Sequence, residues 1–158
     1  QSRIKEFQKK IPSGAALITD PSNIAYLTGF TGSNGTILLT SKKAHFFTDA
    51  RYTRVAKKVM PKGVEIHIVS SFKQVSDVAQ KLRIKTIRFE AHNVSVARLA
   101  YLKKGFKPIK LKPSTTHVET LRMVKSEEEL KYLIKSQRIK ERVFEEVTKN
   151  LRVGKAEK

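Results

Sequence analysis

The chain has no cysteine, and its 14 acidic side chains face 33 lysines and arginines. Without cysteine there is no disulfide framework and no thiolate metal site, and an intracellular setting is favoured. No apolar run approaches the roughly 20 residues that span a bilayer, which excludes a membrane helix. The opening QSRIKEFQKK has a helical pattern rather than that of a signal peptide, so a cytoplasmic, soluble protein with no membrane partner is expected. No Gly-x-Ser-x-Gly elbow is present, and Gly29, Gly32 and Gly35 match neither the dinucleotide fingerprint nor the P-loop. Gly29-Phe30-Thr31-Gly32 has the bare GXXG form of a KH clamp but carries no basic residue and precedes a strand pattern.

Metal ligation has four histidines and three aspartates to draw on. His45, His67, His92 and His117 show no His-x-x-x-His or His-x-x-Glu spacing that would set two ligands on one helix face, so ordinary imidazoles and no metal site are expected.

The net charge of +19 is concentrated in residues 1–113, which hold 22 basic and 6 acidic side chains against 11 and 8 in residues 114–158. Ten of these cations fall between Lys81 and Lys112, with Glu90 the single acid among them. Such a surface offers weak, sequence-indifferent contact with nucleic acid, because aromatic residues are not interleaved for base stacking.

Periodicity predicts a first helix carrying Ile4, Phe7, Gln8 and Ile11, then a strand over 15–18. Asp20-Pro21 and Asn23 start a turn or short helix. Asn34-Gly35 precedes a hairpin of TILLT (36–40) and AHFFT (44–48). Asp49 is placed to cap a helix whose face holds Tyr52, Val55, Ala56 and Val59, with Pro61-Lys62-Gly63 after it. VEIHIV (64–69) reads as a strand with one well-buried face, followed by a helix over 72–82 capped by Ser71, a strand over 86–89, a helix over 95–102 and a strand over 107–111. This order predicts an α/β domain with a mixed sheet and flanking helices over residues 1–113. Residues 114–158 form a linker and one long helix, opened by a capping box at Ser126 and Glu129, with Leu130, Leu133, Ile134, Val143, Phe144, Val147 and Leu151 along a stripe.

Asp49, Arg51 and Tyr52 at a strand-to-helix junction could serve acid–base chemistry, or Asp49 could cap while Tyr52 packs.

Three segments, PSNIAYLTGFTGSNG, FTDARYTRVAKK and LRMVKSEEELKYLIKSQRIKERVFEEV with the following VGKAEK, resemble the amino-terminal part of the Xaa-Pro aminopeptidases and prolidases, the pita-bread metallopeptidases. Asn23, Asp49, Arg51 and Tyr52 belong to these motifs. Arg122, Lys125, Ser126 and Glu129 stand at the places of an Arg-x-x-Lys-[Ser/Asp]-x-x-Glu helix that opens the catalytic domain. Gly154 and Glu157 match a following Gly-x-[Thr/Ser]-Glu, with Ala156 in place of the hydroxyl.

The resemblance implies a ribonuclease H-like creatinase/prolidase amino-terminal domain, non-catalytic in itself. It implies a catalytic domain of the same polypeptide in which two Asp, one His and two Glu hold two divalent ions, commonly manganese or cobalt. None of those ligands is carried over, because the sequence ends where that domain is expected to begin. Further implications are a homodimer, short proline-containing peptides as substrates, and a loop that narrows a partner subunit's active site, with Tyr26, Phe30, Ser33 and Asn34 the substrate-proximal candidates. A stand-alone binding module and a catalytically dead scaffold are the alternatives.

Overall fold

The computed structural model describes residues 3–114, 118–152 and 154; His117, Ala156 and Glu157 lie outside them. Six strands form one mixed sheet: β1 (Ala15–Ile18), β2 (Thr36–Thr40), β3 (Ala44–Thr48), β4 (Val64–Ile68), β5 (Thr86–Phe89) and β6 (Lys110–Pro113), in the order β4-β3-β2-β1-β5-β6. β1, β2 and β3 form an antiparallel meander, whereas β4 pairs parallel to β3, β5 to β1 and β6 to β5.

Alternation along the central strands sends side chains into two separate cores. Ala16, Ile18, Ile37, Leu39 and Phe46 meet helices α1 (Arg3–Gln8), α2 (Pro21–Thr28), α3 (Thr53–Val59) and α6 (Val118–Met123). Ala15, Leu17, Leu38, Phe47 and Ile87 meet α4 (Lys73–Lys81) and α5 (Val96–Gly105). Because both faces are covered, Ile37, Leu38 and Leu39 form a continuous apolar run rather than an alternating one.

Asp20 caps α2 by accepting from the Asn23 amide at 2.9 Å, Pro21 supplies the first helical residue, and Gly29 closes it at φ 78°, a backbone region that suits glycine. The helix runs through Thr28, further than the short start expected. β4 differs from its expected pattern: it is the sheet's edge, and Val64 and Ile66 are only partly buried while Ile68 is exposed. The strand expected over 107–111 forms later, where Lys110 pairs with Thr86 and Pro113 with Phe89. Ser71 does not cap α4; the Gln74 side chain accepts from the Ser70 and Ser71 amides at 2.8 and 3.2 Å.

The chain divides into two compact units, residues 1–121 and 122–158. Val118 and Leu121 are buried in the core of the first. The second holds α7 (Glu127–Asn150), 24 residues long, whose Ser126 Oγ accepts from the Glu129 amide at 3.2 Å while Glu129 Oε2 accepts from the Ser126 amide at 2.9 Å. No residue of α7 is buried. No helix is long and apolar enough to cross a membrane among the described residues.

Candidate functional site

The segment after α2 crosses to the hairpin as a loop, residues 29–35, and its fixed points come from the β3–α3 junction. Asp49 follows β3 in extended conformation and caps the 3-10 turn Ala50–Tyr52 by accepting from the Arg51 amide at 3.0 Å. The Arg51 guanidinium returns onto the same carboxylate, Nε to Oδ1 at 3.0 Å and NH2 to Oδ2 at 2.9 Å. Asn34 Nδ2 donates to Asp49 Oδ2 at 2.6 Å, and Thr48 Oγ1 donates to the Asn34 carbonyl at 2.6 Å.

Tyr52 carries the other side of the brace. Its hydroxyl lies 2.8 Å from Ser33 Oγ and accepts from the Ser33 amide at 3.3 Å. Phe30 is fully buried beneath the loop, edge-on to Phe46 at 4.8 Å and to Tyr52 at 5.4 Å between ring centroids. A Cβ on Gly32 would meet the Phe30 ring and stand 2.8 Å from Tyr52 Cδ1, so glycine is what allows this approach.

The arrangement fixes charges rather than freeing them. The Arg51 side chain first, and then the Asn34 amide, hold the Asp49 carboxyl well below the usual range, and Asp49 in turn raises Arg51. Hydrogen bonding to Ser33 holds the Tyr52 hydroxyl below an ordinary phenol. A carboxylate already committed to a guanidinium and an amide is a brace for the loop and a poor proton acceptor. What the brace presents outward is Ser33 and Asn34, both exposed.

The structure therefore brings together Phe30, Ser33, Asn34, Asp49, Arg51 and Tyr52. It does not bring Tyr26 to them: that hydroxyl donates to the Leu121 carbonyl at 3.2 Å, and the Arg3 guanidinium lies over its ring. Asn23 is also elsewhere, fully buried and bonded to Glu90 and Glu119.

Two further features are not visible in residue spacing. His45 and His67, 22 positions apart, converge with Glu65, the single group of three His, Asp or Glu among the described residues that could hold a metal. It contains no aspartate, so it does not fit the two-Asp, one-His, two-Glu set that the resemblance implies. Glu65 and His67 share a face by strand alternation, but the pairing of His45 with Glu65 is set by the β3–β4 register. The second feature is an open cleft of about 700 Å³ at the end of the sheet where β1 and β5 begin, with Lys42, Lys43, Lys81, Arg83 and Lys85 around its rim.

Residues 2–124 match the family model described as the creatinase/prolidase N-terminal domain. The chain is 36% identical over 143 residues to a protein of Bacillus subtilis described as uncharacterized peptidase YqhT, which covers 89% of this chain and 40% of that one. In structure it is similar to an Xaa-Pro dipeptidase of Bacillus anthracis, with a TM-score of 0.87 and 27% identity over 98% of this chain and 44% of that one. The N-terminal domain of the cytoplasmic peptidase PepQ of Mycobacterium tuberculosis is similar with a TM-score of 0.68 and 29% identity, over 75% of this chain and 97% of that one. The chain spans about two fifths of the length of the Bacillus subtilis and Bacillus anthracis proteins.

Proposed function

The chain belongs to the creatinase/prolidase N-terminal domain family, and we propose that it serves a cytoplasmic, metal-dependent Xaa-Pro peptidase as its non-catalytic N-terminal domain. The complete enzyme, on this reading, hydrolyses the bond before proline in short peptides and works as a homodimer. The supporting observation is the likeness to the dipeptidase, which runs through 98% of this chain yet takes in 44% of the other. The chain's described residues do not supply ligands for two manganese or cobalt ions, so no step of hydrolysis is assigned to them.

The domain's own contribution is the loop braced by Asp49, Arg51 and Tyr52, which holds Ser33 and Asn34 in a fixed position for narrowing an active site. A loop that touches the bound peptide away from the reacting atoms contributes uniform binding, which is read in KM rather than kcat. In a polypeptide that joins this domain to its catalytic domain, Ser33→Ala should raise KM for Xaa-Pro peptides several-fold and leave kcat nearly unchanged. An unaltered KM would overturn the loop's role. The chain by itself, supplied with manganese, cobalt or zinc, should give no turnover; chelator-sensitive turnover that follows the protein through purification would overturn the non-catalytic reading.

A second reading rests on the lysine-rimmed cleft. Five cations around one opening form a concentrated positive field that attracts polyanions without reading sequence. This is a weak electrostatic contact and does not depend on the peptidase reading.

A further inference from the structure

From the packing of β3 against β4 we infer a transition-metal site, for zinc, built from His45, Glu65 and His67. It lies outside the loop described above. The parallel register sets His45 beside Glu65 and Phe47 beside His67. Alternation then turns all three ligands to the same face of the sheet as Phe47.

Their donor atoms lie within 4.8 Å of one another. His45 Nδ1 stands 3.0 Å from His67 Nε2 and 3.3 Å from Glu65 Oε2, while Glu65 Oε1 is 3.4 Å from His67 Nε2. A tetrahedral zinc with bonds of about 2.0–2.1 Å to nitrogen and oxygen holds its ligand atoms about 3.3 Å apart. The two imidazole nitrogens, and one Glu65 oxygen on each of them, lie near that spacing. One ligand atom from each residue lies within 4.8 Å of the others, so a rotation of the exposed Glu65 carboxylate can complete the set. Two imidazoles and one carboxylate form a donor set suited to zinc and leave the fourth position for water.

Two ring nitrogens and a carboxylate crowd together here, and a bound cation would take up lone pairs that otherwise face one another. His45 Nε2 is buried without a partner, so this ring directs its polar interactions through Nδ1 alone. The Phe47 ring stacks on His67 with centroids 4.7 Å apart and planes 16° apart, which fixes the second imidazole. Glu65, on the edge strand and well exposed, is the entry side.

Bound zinc would clamp the edge strand β4 to β3. The test uses the whole chain and zinc chloride, with calorimetric titration, thermal unfolding and, after replacement by cobalt(II), visible absorption. One equivalent should bind, Tm should rise with free zinc as expected for a ligand of the folded state, and cobalt should give the intense bands of four-coordination. Glu65→Gln and His67→Gln, both at positions open enough to fold, should each weaken this binding about tenfold or more, since even outer-shell changes cost that much. Equal uptake by the wild type and both variants would overturn the site. So would absence of uptake at micromolar zinc, or loss in one variant with full retention in the other.

Discussion

Asn23 Nδ2 donates to Glu90 Oε1 at 2.7 Å, joining the first turn of α2 to the end of β5 across 67 positions of chain. Both side chains are buried, at 0% and 3% exposure. Glu90 Oε2 also accepts from the Thr19 amide at 2.7 Å and the Asp20 amide at 2.9 Å. Asn23 Nδ2 reaches a second carboxylate, Glu119 Oε1, at 2.6 Å, and His92 Nε2 lies 2.9 Å from that same oxygen. One amide thus ties α2, β5 and α6 together between two carboxylates.

Asn23→Asp puts a third carboxylate where the bridging donor stood. Loss of a hydrogen bond to a charged, buried partner together with like-charge contact should cost about 3–5 kcal/mol. Urea unfolding of the chain measures this directly. A loss below 1 kcal/mol would show that the network carries little of the fold's stability. Asn23→Leu, which adds no charge, should cost less than Asn23→Asp.

Asp49 sets an acid limit on stability. Its carboxyl is held well below its ordinary range in the folded chain, chiefly by Arg51, so the unfolded state binds the proton first as pH falls. Its contribution is therefore present above the ordinary aspartate range and is lost on acidification through that range toward the folded value. Asp49→Asn should lower stability at neutral pH and flatten the decline of Tm below about pH 4, the region of the unfolded aspartate. Parallel Tm curves for the two proteins across that interval would contradict the assignment.

Gly32 tests how closely the loop is packed. A methyl group there meets the Phe30 and Tyr52 rings, of which Phe30 is held on its other side by Phe46. Gly32→Ala should destabilise by about 1–3 kcal/mol, the usual cost of overpacking. It should also loosen the Ser33–Tyr52 bond, visible as a shift of the tyrosine absorbance titration toward an ordinary phenol.

Local chemistry made much of this fold legible. The two runs of the hairpin fall at Thr36–Thr40 and Ala44–Thr48 as their apolar patterns predict, and Ser126 with Glu129 forms the expected capping box. Asp49 does cap, but what it caps is the 3-10 turn Ala50–Tyr52, not the expected helix, which begins at Thr53. Legibility stops where an outcome depends on the neighbour. VEIHIV alternates as a half-buried strand does, yet its place at the sheet's edge leaves both faces partly open. Ile109 and Leu111 both reach the core, but only pairing with β5 decides that the strand begins at Lys110. The same holds for chemistry: no spacing rule brings His45 to His67 or Glu90 to Asn23, because those meetings are made by strand register and helix packing.

The rim of the basic cleft gives a measurable salt law. Each phosphate neutralised contributes a slope of about −0.7 for single strands in a plot of log affinity against log salt. Lys43→Gln with Lys85→Gln removes two of the rim cations and should reduce the slope by about 1–1.5 for several unrelated oligonucleotides alike. A preference for one sequence that survives physiological salt would instead indicate a specific binding module.

The long helix α7 poses the last question, because none of its residues is buried. Leu133, Ile134, Val143, Phe144 and Val147 are each at least half exposed, and Phe144 reaches 70%. Burying such a side chain stabilises by about 1.5–3 kcal/mol, and helices in proteins draw most of their stability from packing an amphipathic face. Five such residues in a row of turns therefore favour a partner surface, either a second copy or a further domain. The chain should self-associate with rising concentration in light scattering, and Phe144→Glu with Val147→Glu should abolish this while leaving the first unit intact. No buried apolar residue lies beyond Leu121 among those described, so a chain ended after Val124 should keep its Tm within a few degrees. A strict monomer at every concentration, with α7 amides as slow to exchange as those of β1, would refute this account of the helix.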